Sequence, residues 1–166
     1  MSVSFPEILS AMMRCDAGDP KRIQHALKVF AYASLIGEKE NLAPRALDIL
    51  KTAAALHDIG IRNAEKLHGS ADGKWQELEG PPVARELLAP FGLDDAFVER
   101  VCFLIAHHHT YGAVNGPDYR ILIEADLLVN LYEDCASPEA ARQAGETVFR
   151  TRTGREFLAA LYPRPF

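Results

Sequence analysis

Residues 53–60, Ala53-Ala54-Ala55-Leu56-His57-Asp58-Ile59-Gly60, end a long apolar run on two ionisable side chains. An imidazole and a carboxylate at the end of a segment that otherwise reads as buried cost free energy unless a partner satisfies them. A divalent cation is a natural partner, because neutral imidazole and carboxylate are both metal ligands. The run has a helical pattern. Pro44 opens it, Leu47, Ile49, Leu50, Ala53, Ala54 and Leu56 carry the apolar positions, and Gly60 stops it. Adjacent residues on a helix point about 100° apart. His57 and Asp58 can therefore reach one ion together only near a helix end, where Gly60 puts them.

The flanking sequence also reads as helix. Ile8–Met13 forms a short first piece. Asp19-Pro20 is an N-cap followed by proline at the first helical position, and Ile23, Ala26, Leu27, Phe30, Ala31 and Ser34 trace a stripe that fades at Gly37. Residues 61–80 predict a loop or broken helix, punctuated by Gly69, Gly73 and Gly80, with Trp75 as the only large anchor. Gly80-Pro81-Pro82 opens a helix over Val83–Leu88, ended by Pro90 and Gly92. Asp94 caps the next, which carries Phe97, Val101, Phe103, Leu104 and Ile105 into His107-His108-His109. After a loop from Gly112 to Pro117, Tyr119–Tyr132 is a strongly apolar helix, Ser137-Pro138 caps another, and Glu156–Leu161 supplies the last. No alternating strand pattern, repeat or linker interrupts them. The expected class is all-α: a compact helical bundle in a single domain, 1–166, with a motif core at about 20–132 and C-terminal helices over 138–162 packed on it.

The 166 residues, 48% hydrophobic, suffice for one sizeable core but not two ordinary domains. A net charge of −5 argues against a nucleic-acid polymer or an anionic membrane surface as partner. It leaves room for a small phosphorylated substrate, since a bound ion supplies local positive field. Cys15, Cys102 and Cys135 are scattered, with no Cys-x-x-Cys pairing, and read as reduced thiols. The start, Met1 to Glu7, shows no basic segment followed by an apolar one, and every apolar stretch is broken before membrane-spanning length. A soluble, cytoplasmic protein is expected, with a homodimer left open.

Asp126 sits in Ile121-Leu-Ile-Glu-Ala-Asp-Leu-Leu-Val-Asn-Leu131, apolar on almost every side, and His25 shares its helix with Val29 and Tyr32. Taken singly, Asp126 fits a salt bridge or a helix cap, and His25 fits a hydrogen-bonded core residue. Together with His57 and Asp58 they offer two nitrogens and two oxygens. Such a set suits Mn²⁺, Fe²⁺, Co²⁺, Ni²⁺ or Zn²⁺, with Mg²⁺ also admitted, better than a thiolate site would. Asn130, one turn beyond Asp126, is placed to orient it or a water. Tyr111, Tyr119 and Trp75 lie in or beside the loops around these residues, and Arg120 faces either the site or solvent.

The order His25, 31 residues, His57-Asp58, 67 residues, Asp126 resembles the H…HD…D signature of the HD superfamily of metal-dependent phosphohydrolases. Arg-Ile-Gln-His25-Ala-Leu-Lys-Val, Ala-Ala-Leu-His57-Asp58-Ile-Gly and Glu-Ala-Asp126-Leu-Leu-Val-Asn supply the flanking context, over roughly residues 20–132. The resemblance implies that His25, His57, Asp58 and Asp126 ligate a first ion. Relatives that hold two ions have further histidines. Glu79, in Leu78-Glu79-Gly80-Pro81, stands where many have His-Gly-Pro, and reads equally as a ligand or general base and as a solvated residue. In the histidine triplet the expected order is His109 first, His108 next and His107 outside, while a helix C-terminus favours histidine in any case. His68 reads as a surface residue. Relatives often continue His-Asp-Ile-Gly-Lys, but here Ile61 takes the Lys position, leaving Arg62 or Lys66 to hold phosphate.

The function implied is hydrolysis of a small phosphate ester, nucleotides included, by water activated at the ion. Asp58 would be ligand and proton acceptor, with Glu79 or His109 assisting and Tyr111 near the substrate. A metal- or nucleotide-binding module without turnover is the alternative class, followed by a di-iron oxygenase on a similar scaffold.

Overall fold

The computed structural model describes residues 3–163, which leaves Met1, Ser2 and residues 164–166 of the expected domain outside the description. Among the described residues every regular element is helical: α1 (Phe5–Cys15), α2 (Pro20–Lys39), α3 (Pro44–Leu56), α4 (Ile61–His68), α5 (Gly73–Leu88), α6 (Asp95–Ile105), α7 (Pro117–Glu133), α8 (Pro138–Thr147) and α9 (Arg152–Leu161). A single 3₁₀ turn, Ala89–Phe91, joins α5 to α6. Four helices begin on proline, whose missing N–H is one that no helical carbonyl would have accepted. Asp19, Asp94 and Ser137 cap their helices by accepting from the backbone N–H three residues on, and Thr151 does the same for α9.

The apolar helix α7 lies at the centre. Ile121, Leu122, Ile123, Ala125, Leu128 and Val129 are all buried, and α2, α3 and α9 pack around it. Each of the branched side chains among them contributes roughly 1.5–3 kcal/mol by leaving water. Helix α3 lies against α2, α6 and α7, so its C-terminal end comes beside all three. Asp126 is thereby carried into the core by the same residues that bury its helix.

Three departures from the sequence reading involve glycines that serve close packing. Helix α2 does not stop at Gly37 but runs to Lys39. A Cβ on Gly37 would meet Leu47 Cδ1 at 2.7 Å and Leu50 Cδ2 at 3.0 Å, so this glycine sets α2 against α3. Residues 61–80 are ordered helix, with only the turn at 69–72 between α4 and α5. Gly60 and Gly80 are packing residues as well as punctuation: a Cβ on Gly60 would lie 2.4 Å from the Gly80 backbone nitrogen. Pro81 and Pro82 consequently fall inside α5 rather than at its start. Gly80 eases this, because the clash that disfavours helix before proline involves the preceding Cβ.

Helix α9 starts four residues earlier than Glu156, because Thr151 is its cap. Its first turn is anchored to the core by two carboxylates. The fully buried Glu124 of α7 accepts from the backbone nitrogens of Arg150 and Thr151 and from the Thr151 hydroxyl, and Glu40 accepts from the Thr153 nitrogen. Positive partial charge at a helix start stabilises both.

Gly60→Ala should cost about 2–3 kcal/mol, because its new methyl meets backbone that cannot rotate away. Gly37→Ala, which meets leucine termini, should cost less. Thermal unfolding should show a fall of roughly 5–10 °C for the first variant and a smaller one for the second; equal falls would contradict the backbone contact.

Candidate metal centre

His57 caps α3 and Asp58 follows in the tight turn to α4, where the Ile59 and Ile61 nitrogens donate to the Leu56 and Asp58 carbonyls. The turn swings both side chains toward α2 and α7. His25 Nε2 lies 3.1 Å from His57 Nε2, 3.1 Å from Asp126 Oδ1 and 3.5 Å from Asp58 Oδ2. His57 Nε2 is 3.5 Å from both Asp58 Oδ2 and Asp126 Oδ1. Donors bound at about 2.1 Å to one ion are separated by about 3.0 Å at right angles and about 3.4 Å in a tetrahedron. These spacings match.

The hydrogen-bonding partners explain which atoms face inward. His57 Nδ1 donates to the Ala54 carbonyl at 2.9 Å, and His25 Nδ1 donates to Glu133 Oε2 at 2.9 Å. Glu133 is itself held by Lys28. With both Nδ1 protons committed, neutral imidazoles would turn two Nε2 lone pairs on each other at 3.1 Å. That contact is repulsive unless a cation lies between or beside them. Asn130 Nδ2 donates to Asp126 Oδ1 at 2.9 Å, the orienting role its spacing suggested.

Electrostatics tell the same story with a proton in place of a metal. Burial pushes the His57 pKa down, but Asp58 and Asp126 more than offset it and raise it to about 9. Asp58 is held at about 2, burial being outweighed mainly by His57 and His108, and Asp126 is lowered further by His25 and His57. The cluster therefore retains positive charge far above the usual histidine range.

A second group of donors adjoins the first. Asp58 turns Oδ2 to the two imidazoles and Oδ1 to His108 Nε2, at 3.4 Å. His108 is fully buried and its Nδ1 donates to the Ile105 carbonyl at 2.8 Å, while its Nε2 finds no hydrogen-bond partner among the described residues. Donor atoms of Asp58, His108 and His109 lie within 4.8 Å of one another. The geometry thus brings both His108 and His109 to Asp58 without ranking them. His107 stays outside, stacked on Phe103 with its Nδ1 donating to the Phe103 carbonyl.

Other expected site residues lie elsewhere. Glu79 turns to His68 Nε2, 2.8 Å away, and His68 stacks on Trp75, so neither the carboxylate nor the indole enters the donor cluster. Arg62 donates to the Ala17 carbonyl and Lys66 is exposed; neither lines the cleft beside the cluster. That cleft, of about 280 Å³, exposes His25, Asp58, Asn130 and Glu133 and is flanked by Lys21 and Arg22. Arg22 is paired with Asp19 and Glu65, whereas Lys21 has no ion-pair partner among the described residues. Tyr111 is partly exposed, with its phenol pKa raised by burial and by Asp126. Tyr119 is buried and donates to backbone carbonyls of His107 and Thr110, and Arg120 reaches the Val148 carbonyl. Glu133 was legible as one heptad beyond Asp126, on the same helix face; Lys21 carried no local signal.

A sequence profile of the HD domain matches residues 22–141, and the chain belongs to that family. The crystal structure of a predicted HD superfamily hydrolase from an uncultured Thermotogales bacterium is similar to it. The TM-score is 0.70 and the identity 29%, over 95% of this chain and 84% of that one. No curated protein matches. Among the described residues, no helix is long and apolar enough to cross a membrane.

A His57 pKa near 9, above the unfolded value of about 6.5, adds stability that is full below the lower figure and lost as pH rises through the higher. Chelator-treated protein should therefore show a Tm that declines from pH 6.5 to 9, and His57→Gln should flatten the decline. A Tm that rises over this range would show that the carboxylates do not hold the proton.

Proposed function

We propose that this chain is a metal-dependent phosphohydrolase acting on a small phosphate ester, with nucleotides the first substrates to try. The observation that supports it most is the spacing of the His25, His57, Asp58 and Asp126 donor atoms beside an open cleft that His25 and Asp58 line. A divalent ion of the Mn²⁺ to Zn²⁺ series held there supplies Lewis acidity toward a phosphoryl oxygen and lowers the pKa of water. Asp58, which lines the cleft beside His25, would hold such an ion; its carboxyl, with a pKa held at about 2 and both oxygens turned to imidazoles, is a ligand rather than a proton acceptor. Glu133 and Asn130 keep His25 and Asp126 turned inward. Lys21 replaces Arg62 and Lys66 as the cation that meets the substrate phosphate, because it flanks the cleft and is not neutralised by a carboxylate.

The orphaned His108 Nε2 supports a second ion, shared through Asp58. Glu79 has no part in that set, since His68 takes its carboxylate. The partner expected is the small phosphorylated substrate, with a homodimer left open.

Mn²⁺- or Co²⁺-loaded protein should hydrolyse a generic aryl phosphate and a subset of nucleoside monophosphates. His57→Ala and Asp126→Ala should each lose both metal, read by mass spectrometry of metal content, and turnover. Lys21→Ala should keep its metal and kcat while KM rises roughly tenfold, the loss of one charge-assisted contact. Full metal-dependent turnover in either ligand variant would refute the site, and tight nucleotide binding without turnover would favour a binding module.

A further inference from the structure

Helix α5 controls the segment that follows α6, and one of its side chains decides which nitrogen of His109 is available. Gln76 is buried, and its Nε2 donates to the Ala71 carbonyl at 2.7 Å. That bond settles the orientation of the amide, since the reverse would set two oxygens face to face. Gln76 Oε1 therefore points at His109 Nε2, 3.0 Å away. An amide oxygen only accepts, so His109 Nε2 carries the proton. A neutral imidazole has one N–H, which leaves the lone pair on Nδ1. The ring is pinned in this pose: a Cβ on Gly73 would lie 2.8 Å from His109 Cγ and Cδ2, and the His109 backbone nitrogen donates to Glu77 Oε1 at 3.0 Å.

We propose that Gln76 is a positioning residue for the second ion: it holds His109 as the Nε2–H tautomer, so that His109 joins Asp58 and His108 through Nδ1. This rests on the two-ion reading above. His108 offers Nε2 in the same set, its Nδ1 being committed to the Ile105 carbonyl. Neighbouring imidazoles thus present different nitrogens, each chosen by the hydrogen bond its other nitrogen makes.

Long-range ¹H–¹⁵N spectra of histidine-labelled protein, first chelated and then titrated with Zn²⁺, test both parts. Chelated wild type should show His109 protonated at Nε2. Gln76→Met, which removes the amide acceptor without adding a charge, should give mixed tautomers. On titration the second equivalent should move Nδ1 of His109, and Gln76→Met should weaken that equivalent about 10- to 100-fold while leaving the first unchanged. An Nδ1–H ring in chelated wild type, or an unaltered tautomer in Gln76→Met, overturns the role of Gln76 whatever the metal count. A wild-type protein that takes one equivalent, with His109 still Nε2–H and unmoved, overturns the two-ion reading and the donor role of Nδ1 with it.

Discussion

His25 and His57 approach nitrogen to nitrogen at 3.1 Å after each has given its other N–H away, and much of the molecule can be read as the means of sustaining that contact. Two bare lone pairs repel, so the pair needs positive charge beside it, and the carboxylates of Asp58 and Asp126 are there to hold that charge. Isolated in an apolar interior, any one of these four groups would be expensive to bury. Held together around a cation, each offsets the cost of the others. The α3–α4 turn, the buried face of α7 and the α2 contact at Gly37 all serve to bring them to a common point.

Asp58 occupies a special place among the four. It lines the cleft together with His25, and its two oxygens face different imidazole groups. One carboxylate is thereby asked to serve both donor clusters. The hydrogen bonds to backbone carbonyls behind His57 and His108 leave it free to do so, because those imidazoles are oriented without its help.

The donor set and the all-helical class were legible in the sequence because both depend on local pattern. Asp19, Asp94 and Ser137 announced their helices, and an ionisable residue in a run as apolar as Ile121–Leu131 announced its own need for a partner. What was hidden depends on contacts between distant segments. Gly37, Gly60 and Gly80 read as breaks, yet their meaning lies in the backbone or side chain that comes against them. Glu79 could not be placed without knowing that His68 sits one helix away, and Arg62 without knowing that the Ala17 carbonyl takes its guanidinium. Lys21 matters only because the fold puts it beside the cleft. Thr151 escaped notice because the cap lies in a stretch with little apolar periodicity.

Glu124 belongs to the segment matched by the HD profile, residues 22–141, but the groups that satisfy its carboxylate lie at Arg150 and Thr151, beyond the last matched residue. A chain trimmed to the matched segment would retain a bare anion in its central helix, two residues from Asp126. The reach of the family's sequence pattern and the reach of the cooperative structure are thus different lengths. Recognition needs the ligands and their flanks, whereas a stable ligand-bearing helix needs the start of α9 as well. The C-terminal helices are in this sense part of the candidate site's foundation, though none of their described residues lines the cleft.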